Sequence, residues 1–182
     1  MVVTTLLVFT QKTFADGNPP LKGDALPEIL LPIPQDQDHR EYLGLDGNGF
    51  FQIPRIQAQI VIIEIFSMYC PHCQREAPNI NNFYHQLESD PALKGKVKII
   101  GIGVGNSDFE VNFFRKKYAI PFPLFSDADF MIHKKIGEVR TPYFFGIKIT
   151  GSGEHTIFYS QLGGPKDSRQ FLENLLQGTG LK

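Results

Sequence analysis

Tryptophan is absent from the 182-residue chain, cysteine occurs only twice, and neither sign of charge predominates, with 18 Lys and Arg against 19 Asp and Glu. With no basic run and no interleaving of basic and aromatic residues, nothing stands ready to neutralise a phosphate backbone, which argues against a nucleic-acid partner. No apolar run reaches the roughly 20 residues that span a bilayer, so membrane anchoring is not expected. Both cysteines fall within one C-x-x-C, Cys70-Pro71-His72-Cys73. None is left for a stapling disulfide elsewhere or for the second half of a Cys-rich zinc site, so no metal is expected and stability must come from packing. At 42% hydrophobic, a chain of this length can enclose one substantial core.

Residues 1–9 are mostly apolar, and Thr13-Phe14-Ala15 ends in the small residue that precedes a signal-peptidase cut. A complete signal would start with Lys or Arg, whereas the only early cation, Lys12, follows the apolar stretch. We therefore read residues 1–15 as a truncated signal peptide, 16–27 as a Gly-, Pro- and Asp-rich lead-in, and 28–182 as one domain. The expected location is periplasmic or otherwise exported. A cytoplasmic protein with a strand-forming or disordered N-terminus is the alternative.

Short apolar runs at residues 28–33 and 49–53 flank Asp46-Gly47-Asn48-Gly49, a turn signal that predicts a peripheral hairpin. Residues 59–66, Gln-Ile-Val-Ile-Ile-Glu-Ile-Phe, are β-branched on both parities, as suits a central strand covered on both faces. Glu64 interrupts this run, and a carboxylate there is costly to bury charged. From Pro71 the period changes. Cys73, Ala77, Ile80, Tyr84 and Leu87 form one stripe of a helix of about four turns, started by Pro71 and expected to kink at Pro78.

Residues 96–104 predict a second central strand. Its Gly101-Ile102-Gly103-Val104-Gly105 lacks the Gly-Lys-Ser/Thr of a phosphate loop and the spacing of a dinucleotide fingerprint. Ser107-Asp108-Phe109-Glu110 is a capping box opening a helix to about residue 119, with Val111, Phe114 and Tyr118 inward. Residues 121–126 are extended, and 127–137 read as a short helix carrying Phe130, Met131 and Ile136. Residues 143–149 and 155–159 form an antiparallel hairpin, and 165–177 a closing helix ending at Gly178.

A thiolate, not a thiol, attacks a disulfide. Cys70 at a helix N-terminus is placed to be that thiolate, because unpaired N–H groups and the macrodipole favour an anion and His72 can add a donor or a charge. Cys73, one turn further in on the buried stripe, would resolve a mixed disulfide by attacking Cys70. No cofactor beyond this pair is called for. His39, His85, His133 and His155 share no ligand spacing.

The order strand, helix, strand, helix, strand, strand, helix, with C-x-x-C at the tip of the first central strand, is that of thioredoxin. Phe66-Ser-Met-Tyr-Cys70-Pro-His-Cys73-Gln-Arg-Glu76-Ala-Pro78 resembles the active-site segment of thioredoxin-like proteins, in particular the exported TlpA/ResA branch. Residues 118–127 resemble that branch's inserted helix and following strand, and Thr141-Pro142 its cis-proline loop. The resemblance implies an α/β fold, a central mixed sheet with helices on both faces, an N-terminal hairpin extension and an inserted helix. It implies a thiol:disulfide oxidoreductase acting on protein thiols and disulfides together with a redox partner protein, with the reducing direction favoured. It assigns Glu64 as a proton relay to the buried cysteine, Glu76 as a carboxylate near the disulfide, and Thr141 with cis Pro142 as the edge that docks substrate. Two departures stand out. Tyr69 and Ser67 occupy positions where the family has Trp, and Pro71-His72 resembles the oxidase DsbA.

Two other readings use different chemistry. A copper-binding chaperone on the same fold would employ Cys70, Cys73 and His72 or His133, although the more widely spaced cysteines and distal histidine of such proteins are not evident. A peroxiredoxin-like peroxidase is suggested by Ser67-x-x-Cys70, but Ile63 stands where that family has a proline.

Overall fold

The computed structural model describes residues 17–151, 153–164 and 171–173. The signal-like segment 1–15 and most of the closing helix expected over 165–177 lie outside the described residues; of that helix, 171–173 are described and are helical. The elements in chain order are β1 (Leu30–Pro32), α1 (Gln37–Leu43), β2 (Phe50–Gln52), β3 (Ile60–Phe66), α2 (Pro71–Ser89) and β4 (Val97–Val104). There follow α3 (Asp108–Lys117), β5 (Leu124–Asp127), α4 (Met131–Lys135), β6 (Tyr143–Ile149) and β7 (His155–Leu162).

Five strands form one mixed sheet in the order β5-β4-β3-β6-β7. β3 and β4 run parallel, as do β4 and β5, while β6 lies antiparallel to β3 and β7 antiparallel to β6. Every residue of β3 and of β4 is buried, as continuous β-branched runs require when both faces are covered. Ile60, Ile62 and Phe66 pack with α2, α3 and Phe171. Val61, Ile63 and Ile65 pack with Leu43 and Leu45, the β1–β2 pair and Ile136. Each large side chain removed from water here contributes roughly 1.5–3 kcal/mol. The Gly101-Ile102-Gly103-Val104 run lies in β4, and its glycines make room: a Cβ on Gly101 would stand 2.4 Å from Leu124, and one on Gly103 2.8 Å from Val111.

β1 and β2 pair antiparallel with Leu30 opposite Gln52, as the flanking apolar runs predicted. The connection between them holds a helix that the hairpin reading did not contain. α1 is capped by Asp36, whose side chain accepts the His39 N–H, and is closed by Gly44 in the left-handed conformation. The lead-in packs along β7, where Gly23 and Asp24 exchange backbone bonds with Ile157, and Ser160 Oγ donates to the Pro20 carbonyl. These contacts partly cover an exposed sheet edge.

The expected capping box opens α3, with Ser107 and Glu110 bonded reciprocally. α4 is shorter than expected; Ile136, just past its end, is buried, while Phe130 is 44% exposed and Met131 59%. The cause is Asp127. Instead of beginning a helix it ends β5, and its buried carboxylate accepts the N–H groups of Ile132 and His133 at 2.9 and 2.8 Å. In α2 the buried stripe runs through Cys73, Ala77, Ile80, Phe83 and Leu87, with Phe83 in the place expected for Tyr84. The helix continues across Pro78 to Ser89.

Candidate active site

β3 carries the chain to the C-terminal edge of the sheet, and the Ser67-Met68-Tyr69 turn delivers Cys70 to the start of α2. Cys70 is the N-cap, with extended backbone, and its Sγ accepts the Cys73 N–H at 3.2 Å. Pro71 occupies the first helical position, where a missing N–H leaves no bond unmade. Cys70 is partly exposed and Cys73 buried, and both are free thiols. The turn is fixed from a neighbouring loop. Asn106, fully buried, accepts the Met68 N–H at 2.8 Å and donates to Ser67 Oγ at 3.4 Å. Gln74 Nε2 donates to the Met68 carbonyl at 2.8 Å.

The Thr141-Pro142 peptide is cis, and the Cys70 thiol donates to the Thr141 carbonyl at 3.4 Å. The loop expected to dock substrate therefore lies against the outer cysteine, although it is 71 residues away in sequence. Glu64, on the α2 face of β3, is 2% exposed. Burial, followed by the charges of Glu76 and Cys70, pushes its pKa up to about 8. Burial also pushes the Cys73 thiol far up, reinforced by its bond with Cys70 and by the charge of Glu64. Cys70 moves the opposite way. Partial burial opposes ionisation, but hydrogen bonds from the side chains of Cys73 and Thr141 and from the N–H groups of Cys73 and His72 outweigh it and hold the thiol below its ordinary value. The two sulfurs are thus chemically distinct: the outer one is ready to ionise and the inner one needs a base.

Glu76 is half-buried on α2. Its Oε1 is buried without a partner among the described residues, and its Oε2 accepts from Asn79 at 3.4 Å. Burial raises its carboxyl, against the bond from Asn79. His72 is exposed, and its Nδ1 lies 2.8 Å from Arg75 Nη2. An arginine nitrogen can only donate, so this ring nitrogen accepts. Tyr69, one of the residues in place of tryptophan, is 66% exposed, and its hydroxyl donates to Glu110. His133 is turned to the Val139 carbonyl at 2.8 Å. Among the described residues, no group of three His, Cys, Asp or Glu side chains is placed to hold a metal, and no helix is long and apolar enough to cross a membrane. The structure thus gathers Glu64, Cys70, Cys73, Glu76, Thr141 and Pro142 around one point. It adds Asn106, which sequence reasoning missed because Gly105-Asn106-Ser107 reads as an ordinary turn.

Comparison with known proteins agrees with this geometry. ResA, a thiol-disulfide oxidoreductase from Geobacillus thermodenitrificans, is 23% identical over 167 residues, covering 92% of this chain and 82% of its own. ResA from Bacillus subtilis is 26% identical over 98 residues, and that match spans 53% of this chain and 52% of the relative, about half its length. Among solved structures, StoA from Bacillus subtilis superposes with a TM-score of 0.52 at 25% identity, covering 70% of this chain and 90% of StoA. The thioredoxin domain of a thiol-disulfide oxidoreductase from Bacteroides vulgatus gives a TM-score of 0.63 at 13% identity, covering 86% and 98%, and shows the shared fold. These relatives support an oxidoreductase. The AhpC/TSA family model matches residues 23–158, which hold the whole C-x-x-C, and the chain belongs to that family.

Proposed function

We propose that the chain is an exported thiol:disulfide oxidoreductase that reduces disulfides in proteins. Cys70 is its nucleophile, Cys73 its resolving thiol and Glu64 the group that takes the Cys73 proton. The observation that carries this reading is the asymmetry of the pair: Cys70 Sγ is held between the Cys73 N–H and the Thr141 carbonyl, and Cys73 is buried on the face of β3 that bears Glu64.

The Cys70 thiolate attacks one sulfur of the substrate disulfide. A Cys70–substrate bond forms, the substrate S–S bond breaks, and the leaving thiolate takes a proton from water. Cys73 then gives its proton to the Glu64 carboxylate and attacks Cys70 Sγ. The Cys70–Cys73 bond forms and the second substrate thiolate leaves, so the substrate gains two electrons and the pair loses two. A partner dithiol protein returns them by the same exchange. A carboxyl with a pKa near 8 exchanges protons at neutral pH, as this relay needs. Thr141 and cis Pro142 offer a backbone edge against which an extended substrate segment pairs. Pro71 and His72 tune Cys70, and Glu76 borders the cleft. No resident cofactor enters the cycle.

Insulin reduction by the full chain tests this reading. Cys70→Ser should abolish turnover, whereas Cys73→Ser should accumulate a mixed disulfide through Cys70, visible by mass spectrometry. Retained turnover in Cys70→Ser, or trapping through Cys73, would sink it.

A further inference from the structure

Two clefts flank Cys70, and both are walled by Arg140 and Thr141. The one on the α2 side has a volume of about 250 Å³ and is bordered also by His72, Arg75, Glu76 and Pro142. It is smaller than the roughly 300–1,000 Å³ of most small-molecule sites, and suits a single side chain of a docked peptide. Arg75 and Arg140 are both exposed. Among the described residues Arg75 meets an imidazole nitrogen, that of His72, rather than a carboxylate. Glu76 is the one carboxylate among the described residues of the cleft wall, set against the two guanidinium groups. The cleft is therefore cationic beside the nucleophile. Arg140 directly precedes Thr141, whose carbonyl lies 3.4 Å from Cys70 Sγ, so a peptide strand paired along Thr141 must pass the guanidinium within one residue of its own cysteine.

From this juxtaposition we infer that the cleft is a specificity site, in which Arg75 and Arg140 select protein substrates carrying an Asp or Glu next to the cysteine under attack. The inference deepens the oxidoreductase reading and rests on it. The site sets the rate of encounter and the register of docking, because charges at the rim of an interface act mainly there.

Stopped-flow exchange with three matched peptide mixed disulfides, differing only in Glu, Gln or Lys beside the cysteine, tests it. In 20 mM salt the rates should fall in the order Glu, Gln, Lys, with the two extremes separated by about five- to tenfold. At 500 mM salt the separation should collapse, since screening shortens the reach of these charges to a few ångströms. Arg75→Glu/Arg140→Glu should reverse the order, and Arg75→Gln/Arg140→Gln should flatten it. Equal rates for the three peptides in the native protein, or an order unmoved by the charge-reversed variant, would overturn the selection. Reaction with neutral 4,4′-dithiodipyridine is the control. If the native protein reacts with it but ignores peptide charge, only this inference falls; if it fails to react at all, the oxidoreductase reading falls as well.

Discussion

Glu64 is the residue on which the proposed cycle turns, because Cys73 is buried and its thiol is held well above its ordinary value. Glu64→Gln should slow resolution of the mixed disulfide by about 10–100-fold at neutral pH while leaving the first attack by Cys70 intact. The native rate of resolution should rise through about pH 8, and the variant should lose that rise. Stopped-flow separation of the two phases reads both effects. Stability gives a second signature. The folded pKa of Glu64 lies above its ordinary 4.5, so the native state keeps a proton that the unfolded chain gives up between that value and about 8. The associated stability is complete below pH 4.5 and is lost as pH rises through about 8. Glu64→Gln should therefore raise stability at pH 9 by about 3–5 kcal/mol relative to its effect at pH 4. Thermal melts at the two pH values measure it, and equal shifts would remove Glu64 from the role of buried neutral acid. Glu64 was legible in the sequence because one carboxylate in a β-branched run must be explained. Arg75 and Arg140 were not, since only the fold brings a helix residue and a loop residue 65 positions apart to one cleft.

At the scale of elements, patterns that involve many residues read well, and those set by one side chain read poorly. β6 begins and ends where the sequence placed it, and β3 and β4 differ by one residue at their starts, because long β-branched runs leave few other places for a covered strand. Of the seven residues of α1, Leu43 is buried and Tyr42 packs against the core. A helix that short shows little periodicity, and its signals were its caps, Asp36 and Gly44. α4 was misread because Asp127 looks like a helix start but acts from the end of β5. Asn106 is a similar case, joining the β3–α2 junction to the β4–α3 turn through the Met68 N–H. Asn106→Ala should leave that buried donor without an acceptor, costing about 1–3 kcal/mol and lowering Tm by about 2–12 °C. Amide exchange at residues 67–69 should quicken more than in β4. A uniform change across the sheet would mean that Asn106 supports the core rather than this turn.

For the molecule as a whole, the order of elements predicted the sheet, since parallel β3 and β4 need a helical crossover and β6–β7 needs only a tight hairpin. The C-x-x-C at the sheet's edge gave the class of chemistry. Location and redox direction are less directly written. Export rests on the signal-like residues near the start of the chain and its resemblance to exported proteins, and fractionation of cells that make the protein natively, followed with an antibody to the chain, should recover it outside the cytoplasm. Recovery within the cytoplasm would contradict it. Direction depends on how far the site stabilises the dithiol relative to the disulfide. Lowering Cys70 favours the dithiol and makes the pair more oxidising, as Pro71-His72 also suggests, whereas the buried, protonated Cys73 and the Glu64 relay allow traffic either way. Equilibration of the full chain with glutathione or thioredoxin buffers, read as the reduction potential of the Cys70–Cys73 couple, tests the proposed protein-disulfide reductase most directly. The account, which takes the reducing direction from the resemblance to the TlpA/ResA branch over the pull of Cys70 and Pro71-His72, predicts a value near thioredoxin's, about −270 mV; one near DsbA's, about −120 mV, or the absence of a reversible two-electron couple, would contradict it.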